Sequence, residues 1–243
     1  MNRTLAITAV TTAIAAAAPA SASAFNVYAA SSLSNAFPAL TGSPKYNFGG
    51  SNTLQTQIEK GAPADVFASA SPTEAQALYA EGRCTRPVTL ATNTLVLLVP
   101  SSNPGRLSSV YTLRSGGKRL SIGNAGVPIG VYTRKLLARL HLSSILKSNT
   151  VSQESNVSQV TSKVALGSAD AGFVYKTDAL AGGDRVRALT LPRYAQPPVR
   201  YQMCAVIRDG ANTTAAQSFI NRVVSKTGRA TLRRFGFGLP PKG

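Results

Sequence analysis

Two short turns near the start of the chain carry hydroxyls in a pattern suited to holding an anion. One is Ser31-Ser32, reached from the apolar run 25–30; the other is Gly50-Ser51-Asn52, reached from residues 45–48. In both, an apolar strand runs into small residues that open a helix. The first N–H groups of a helix have no intrahelical partners, and the helix dipole favours negative charge there. Two such ends, each with a serine and without a bulky side chain, make a cradle for a small anion. Taken singly, each turn reads as an ordinary N-cap. The repetition is what points to a ligand.

Other chemistries have less to stand on. A serine nucleophile needs a base in reach, usually a histidine held by a carboxylate. The chain has one histidine, His141, and 9 acidic residues against 26 basic ones. It lacks a G-x-S-x-G elbow, so a secreted Ser-dependent hydrolase is the weaker, competing reading. His141 ends a basic helix and reads as a solvated or capping residue, not a metal ligand. Asp65 and Asp178 read as structural, the first bonding a turn and the second capping a helix. Arg134 and Lys135 read as solvent-facing. The formal charge of +17 draws anions of any kind. The cations are scattered, however, with no aromatic-interleaved basic strand or zinc-finger spacing, and nucleic acid is not the expected partner.

The elements that must position the turns begin after a leader. Residues 1–24 read as a cleaved signal peptide: a basic start, an Ala-rich apolar stretch too short for a membrane span, and small residues up to Ala24. The mature chain is expected from Phe25, in the periplasm or otherwise outside the cytoplasmic membrane, with no lipoprotein cysteine. In that compartment Cys84 and Cys204 suggest a disulfide, with two buried free thiols as the alternative. Strands are predicted at 25–30, 45–48, 65–68, 94–99, 119–122, 171–175, 187–191 and 199–208. Helices are predicted after the Ser31-Ser32 turn and at 53–60, 71–81, 130–140, 157–166, 213–225 and 229–235. This alternation means an α/β chain with mainly parallel sheets. The pattern restarts after residue 105, which suggests two lobes: 25–98 with 203–243, and 99–202. Ligands of such folds lie beyond the carboxyl ends of the strands.

Four segments resemble the periplasmic molybdate-binding proteins, the solute-binding components of molybdate ABC importers. They are AASSLSNA at 29–36, SNTL and QIEKGAPADVF within 51–67, VPIGVY at 127–132, and AGFVY with the following DA within 171–179. RFGF at 234–237 resembles the family's usual ending, and the match runs in order through nearly all of the mature chain. The resemblance implies a two-lobe, type II periplasmic-binding-protein fold with its ligand cleft between the lobes. It implies a monomeric binding protein, not an enzyme, that takes no cofactor and captures molybdate or tungstate as an oxyanion. The oxyanion would be held without counter-charges and without direct metal ligands. Ser32 and Ser51 would give hydroxyl and backbone N–H bonds, Ile129 and Val157 their backbone N–H groups, and Tyr175 its phenol. The implied partners are a permease and its ATPase subunit; this chain has no G-x-x-x-x-G-K-[ST] loop of its own. Ile129 stands where the family often has a small residue, and Gly50 and Asn52 where Ser is common. These departures bear on the choice of anion, and sulfate or another tetrahedral oxyanion is the alternative guest.

Overall fold

The computed structural model describes residues 25–41 and 44–240, so the signal peptide expected over residues 1–24 lies outside the described residues. Strand β1 (Asn26–Ala30) leads through a 3-10 turn (Ser31–Leu33) into a short helix α1 (Ala36–Leu40). Then come β2 (Lys45–Gly49), α2 (Ser51–Glu59), β3 (Val66–Ser69), α3 (Pro72–Ala80) and β4 (Val88–Asn93). A second series follows: β5 (Leu95–Pro100), β6 (Arg119–Gly123), α4 (Pro128–Arg139), α5 (Ile145–Ser148), β7 (Thr150–Glu154), α6 (Val157–Ala165), β8 (Ala171–Tyr175), α7 (Lys176–Ala181) and β9 (Val186–Thr190). The chain closes with β10 (Val199–Ala205), α8 (Thr213–Val224) and α9 (Lys226–Arg234).

Local sequence accounts for these elements. β3 and β8 are buried at every residue, as continuous apolar runs require of central strands. Helix α3 starts on Ser71, whose side chain accepts from the Thr73 N–H, with Pro72 at the first helical position. The carboxylate of Glu74 accepts from both the Ser69 and Ser71 hydroxyls. Helix α2 ends where Gly61 takes a left-handed φ of 88°. Asp65 is structural, as its sequence context suggests. Its carboxylate accepts from the Asn26 and Asn212 N–H groups and pairs with Arg208, which ties β1, β3 and the start of α8 together.

Two five-stranded sheets result, ordered β2-β1-β3-β10-β4 and β7-β6-β8-β5-β9. Each sheet is mixed but mainly parallel in strand direction, as the sequence predicts, with four strands running one way and one the other. In each, three strands pair in parallel, and one reversed strand, β10 in the first sheet and β5 in the second, pairs antiparallel with both of its neighbours. The cause is the double crossing between lobes. β5 enters the second sheet against β8 and β9, and β10 returns to the first between β3 and β4. The crossings fall at Thr94 and over residues 191–198. Both strands therefore belong whole to one sheet, whereas boundaries at 98/99 and 202/203 would cut through them. The side chain of Gln196 fastens the crossings to each other: its amide donates to the Leu95 carbonyl at 2.8 Å and accepts from the Leu95 N–H at 2.9 Å.

Cys84 and Cys204 form a disulfide with Cα atoms 5.9 Å apart, within the usual range for such a bond. The pair sits in a small core with Leu54, Ile58, Phe67 and Leu78, on the side of the first sheet that α2 and α3 cover. The loop it closes spans 120 residues and contains the whole second sheet. A loop of that length is worth up to ~5 kcal/mol in the chain-entropy account. Replacing both cysteines by alanine should lower the melting temperature by several degrees, read by circular dichroism on the mature protein. An unchanged melting temperature would show that the cross-link contributes no stability.

Candidate functional site

The carboxyl ends of all six parallel strands point at one place. There the lobes enclose a cavity of about 20 Å³, lined from the first lobe by Ser31, Ser32, Gly50, Ser51 and Ala70 and from the second by Val127, Ile129, Asn156, Val157 and Tyr175, among others. A single water needs roughly 10–15 Å³, so the space suits a guest of a few atoms and excludes a sugar or a peptide. No residue that lines it carries a charge. All five residues singled out in the sequence, Ser32, Ser51, Ile129, Val157 and Tyr175, meet at this cavity.

The hydroxyls are arranged to give protons inward. Ser51 Oγ accepts from the Ala70 N–H at 3.0 Å, which leaves the serine's own proton for another acceptor. Ser32 Oγ lies 2.9 Å from the Tyr201 hydroxyl. That phenol accepts from Asn93 Nδ2 at 3.3 Å, and the Asn93 amide is oriented by the Thr94 N–H, which donates to its Oδ1. Either hydroxyl of this pair can donate, and with Tyr201 as the donor the Ser32 proton is free for the cavity. The Tyr175 hydroxyl is buried and has no hydrogen-bond partner among the described residues. Burial, with Tyr201 close by, pushes its pKa well above the ordinary tyrosine value, so it stays a neutral donor.

Three helix starts add backbone donors. The first-turn N–H groups of α2, α4 and α6 have no partners inside their helices. Pro128 leads α4 and has no N–H, so Ile129 presents the first one. Gly130 is required beside it, because a Cβ there would collide with the Asn124 carbonyl oxygen. The bulk of Ile129 is accommodated by the bare Gly123, where a Cβ would press on the Ile129 side chain. Arg134 does not face solvent as expected from sequence. It is partly buried and donates to the Gly123 and Gly130 carbonyls at 3.0 Å, which clamps the turn that carries Ile129. In α6, Asn156 caps the Gln159 N–H, and the N–H of Val157 lies before it at the cavity. Glu154, paired with Lys163, stiffens the turn into that helix.

Several participants escaped the sequence reading. Tyr201, Asn93 and Thr177 form the chain of contacts behind Ser32. Tyr132 reaches from α4 to Ser71 and the Arg200 backbone of the other lobe. Their only sequence signal is a polar atom at the end of an apolar strand or on a helix's buried face. Asn52 stays outside the lining, and its Oδ1 is buried without a partner among the described residues. His141 ends α4 with a left-handed φ of 55°, exposed to solvent and absent from the lining. Ser32 and Ser51 instead touch the Tyr201 phenol, which burial keeps neutral by pushing its pKa well above the ordinary value, and a backbone N–H, which donates.

Residues 29–238 match the family described as bacterial extracellular solute-binding protein. The chain belongs to that family. Among its relatives is the molybdate-binding protein ModA of Mycobacterium tuberculosis, 34% identical over 226 residues that cover 88% of this chain and 84% of the relative. The molybdate-binding protein ModA of Escherichia coli is 29% identical, with 87% of each chain covered. The solved periplasmic molybdate-binding protein of Azotobacter vinelandii superposes with a TM-score of 0.79 at 24% identity, over 89% of this chain and 99% of that one. The sulfate-binding protein SubI of Mycobacterium tuberculosis superposes with a TM-score of 0.76 at 15% identity, over 90% and 87%. The two structural likenesses establish the two-lobe fold of periplasmic binding proteins. No described helix of this solute-binding protein is long and apolar enough to cross a membrane.

One group near the site titrates in an unusual range. Asp178, in the first turn of α7, is buried, and its Oδ2 has no hydrogen-bond partner among the described residues. Burial raises its pKa to about 7, against weaker hydrogen bonding from the Tyr175 and Asp178 backbone. The folded state therefore holds a proton that the unfolded chain releases near pH 4, and stability falls as pH rises between the two values. The whole window is worth on the order of 4 kcal/mol. The melting temperature should drop from pH 5 to pH 8 and level off above it, and Asp178→Asn should flatten that slope. An equal slope in the Asn variant would assign it to another group.

Proposed function

We propose that this protein captures molybdate, and tungstate with it, outside the cytoplasmic membrane and hands the anion to the permease of an ABC importer, whose ATPase subunit drives transport. It acts by binding, without catalysis. The observation that carries the reading is a small, uncharged cavity lined from both lobes by hydrogen-bond donors, one of them the Tyr175 hydroxyl, which has no partner among the described residues. The names of the curated relatives agree with it.

A buried dianion loses a large hydration energy. Neutral donors replace that shell, and bonds to a charged acceptor are roughly twice as strong as neutral ones. The same set discriminates by protonation. Hydrogen phosphate carries a proton that needs an acceptor, and the groups that face this cavity serve as donors. Permanently deprotonated tetrahedral anions meet no such mismatch. Closure is tight at Gly50, where a Cβ would collide with the Ser155 carbonyl oxygen of the other lobe. Its φ of −68° is open to any residue, so space and not backbone angle calls for glycine there.

Titration of the mature protein with molybdate, tungstate, sulfate and phosphate tests the reading. Molybdate and tungstate should raise the melting temperature and give calorimetric heats, and phosphate should do neither. A response to sulfate in preference to molybdate would reassign the guest on the same scaffold; silence toward all four would refute oxyanion capture. Tyr175→Phe should lower molybdate affinity by roughly 10–100-fold, the loss of one hydrogen bond to a charged group. The same change should leave the ligand-free protein as stable or slightly more so, because it removes a buried hydroxyl without a partner. Gly50→Ala should weaken binding at least tenfold by holding the lobes apart, with the ligand-free melting temperature unchanged. Wild-type affinity in that variant would show that the lobes close elsewhere.

A further inference from the structure

The cavity is neutral, but the approach to it is not. A larger hollow of about 540 Å³ lies between the lobes and adjoins the cavity, since Ser32 lines both. Arg185, from the 3-10 turn Gly183–Arg185 of the second lobe, and Arg234, the last residue of α9 in the first, both line this hollow. Both are exposed, and neither joins an ion pair among the described residues. The Arg234 guanidinium lies 5.6 Å over the Phe235 ring, which restrains it without neutralising it. Two acids are near. Asp184 shares the turn with Arg185 but does not line the hollow, and Asp178 lines it from a buried position. The hollow beside the cavity therefore carries two guanidiniums outside any ion pair among the described residues, one from each lobe, and one buried carboxyl, Asp178.

Neutral donors hold an anion at contact but attract it little from afar, because helix-end fields fade within a turn. Guanidinium charges act over a Debye length, about 10 Å at 0.1 M salt. A mouth charge can raise an association rate by 10–1,000-fold. It contributes little to the final complex, where the anion sits beyond it among other donors.

We propose that Arg185 and Arg234 form an encounter site for the divalent oxyanion, which gathers between the two guanidiniums before it passes Ser32 into the neutral cavity. This rests on the oxyanion-capture reading above and adds the place where the anion is first held. It also separates two jobs that a single charged pocket would merge. The arginines set how fast any anion arrives, and the uncharged donors set which anion stays.

The test is stopped-flow binding of molybdate and tungstate to the full mature protein at low and at high salt. Intrinsic tyrosine fluorescence serves as the signal, since the chain has no Trp and Tyr175 lines the cavity. The variant Arg185→Gln with Arg234→Gln should associate about tenfold more slowly at low salt, with the deficit shrinking at high salt. Its dissociation rate should stay within about twofold of the native value, as expected of a solvated charge outside the contact shell. The control, Lys60→Gln with Arg86→Gln, removes the same charge from exposed positions that line neither hollow. It should associate at nearly the native rate. An equal slowing in test and control would replace the encounter site with general attraction by the protein's net charge. Native association in the test variant, or a change confined to dissociation, would overturn the encounter site alone. A native protein that binds no tetrahedral oxyanion would overturn the capture reading together with it.

Discussion

A buried phenol with no acceptor among the described residues is the constraint around which this molecule is organised. An unmet hydroxyl inside a protein costs roughly 1–3 kcal/mol, and nothing in the fold compels the cost at Tyr175. The residue ends a strand buried along its whole length, packs edge-on against Tyr132 and Tyr201, and keeps its proton because burial disfavours the phenolate. Around it, Ser51 accepts from the Ala70 N–H and Ser32 pairs with the Tyr201 hydroxyl, so both serines can turn a proton inward. The helix starts add N–H groups that their own helices cannot use. The cavity lining is thus richer in donors than in acceptors, and an oxygen-rich anion supplies the acceptors.

The second layer of structure exists to hold those donors in place. Arg134 grips the turn before α4, Asn156 caps α6, and Asn93 orients the Tyr201–Ser32 pair. None of these groups lines the cavity with charge, so the rigidity comes without a counter-ion that would hold any anion indiscriminately. Glycine works by the same logic. Gly50 lets the lobes touch, and Gly123 and Gly130 let a bulky isoleucine sit at a position where only its N–H matters.

Much of this could be read from the residues alone, and the failures have physical causes. Apolar runs announced β1, β3, β5, β6, β8 and β10, and the capping residues Ser71 and Asn156 marked their helices. The five residues that meet at the cavity were found because turns opening helices and a tyrosine ending a strand are local patterns. β4 and β7 were missed: both are edge strands with polar residues, with three of six positions of β4 and four of five of β7 not buried, so neither carries the apolar signature. The helix expected after Ser31-Ser32 is a 3-10 turn and a five-residue helix, with Pro38 inside the latter. Antiparallel pairing of β5 and β10 was invisible because it follows from the crossing between lobes, which no local window contains. Tyr201 was unreadable for the same reason, since its partners Ser32 and Asn93 are distant in sequence, and Arg134 because a basic helix residue reads as solvent-facing unless the turn below it is known to fold back.

The central place of β10 in the first sheet sets an order of assembly. β10 lies between β3 and β4, although it is made more than a hundred residues after them, and the disulfide joins the same distant stretches. The second sheet, by contrast, comes from one uninterrupted stretch of chain. During synthesis the amino-terminal segment lacks a central strand of its sheet until β10 is made, whereas every strand of the second sheet precedes β10. Only when the last quarter of the chain arrives can the first lobe close its core and oxidise its thiols. Until then its exposed strand edges are the part of the newborn protein most open to misassembly.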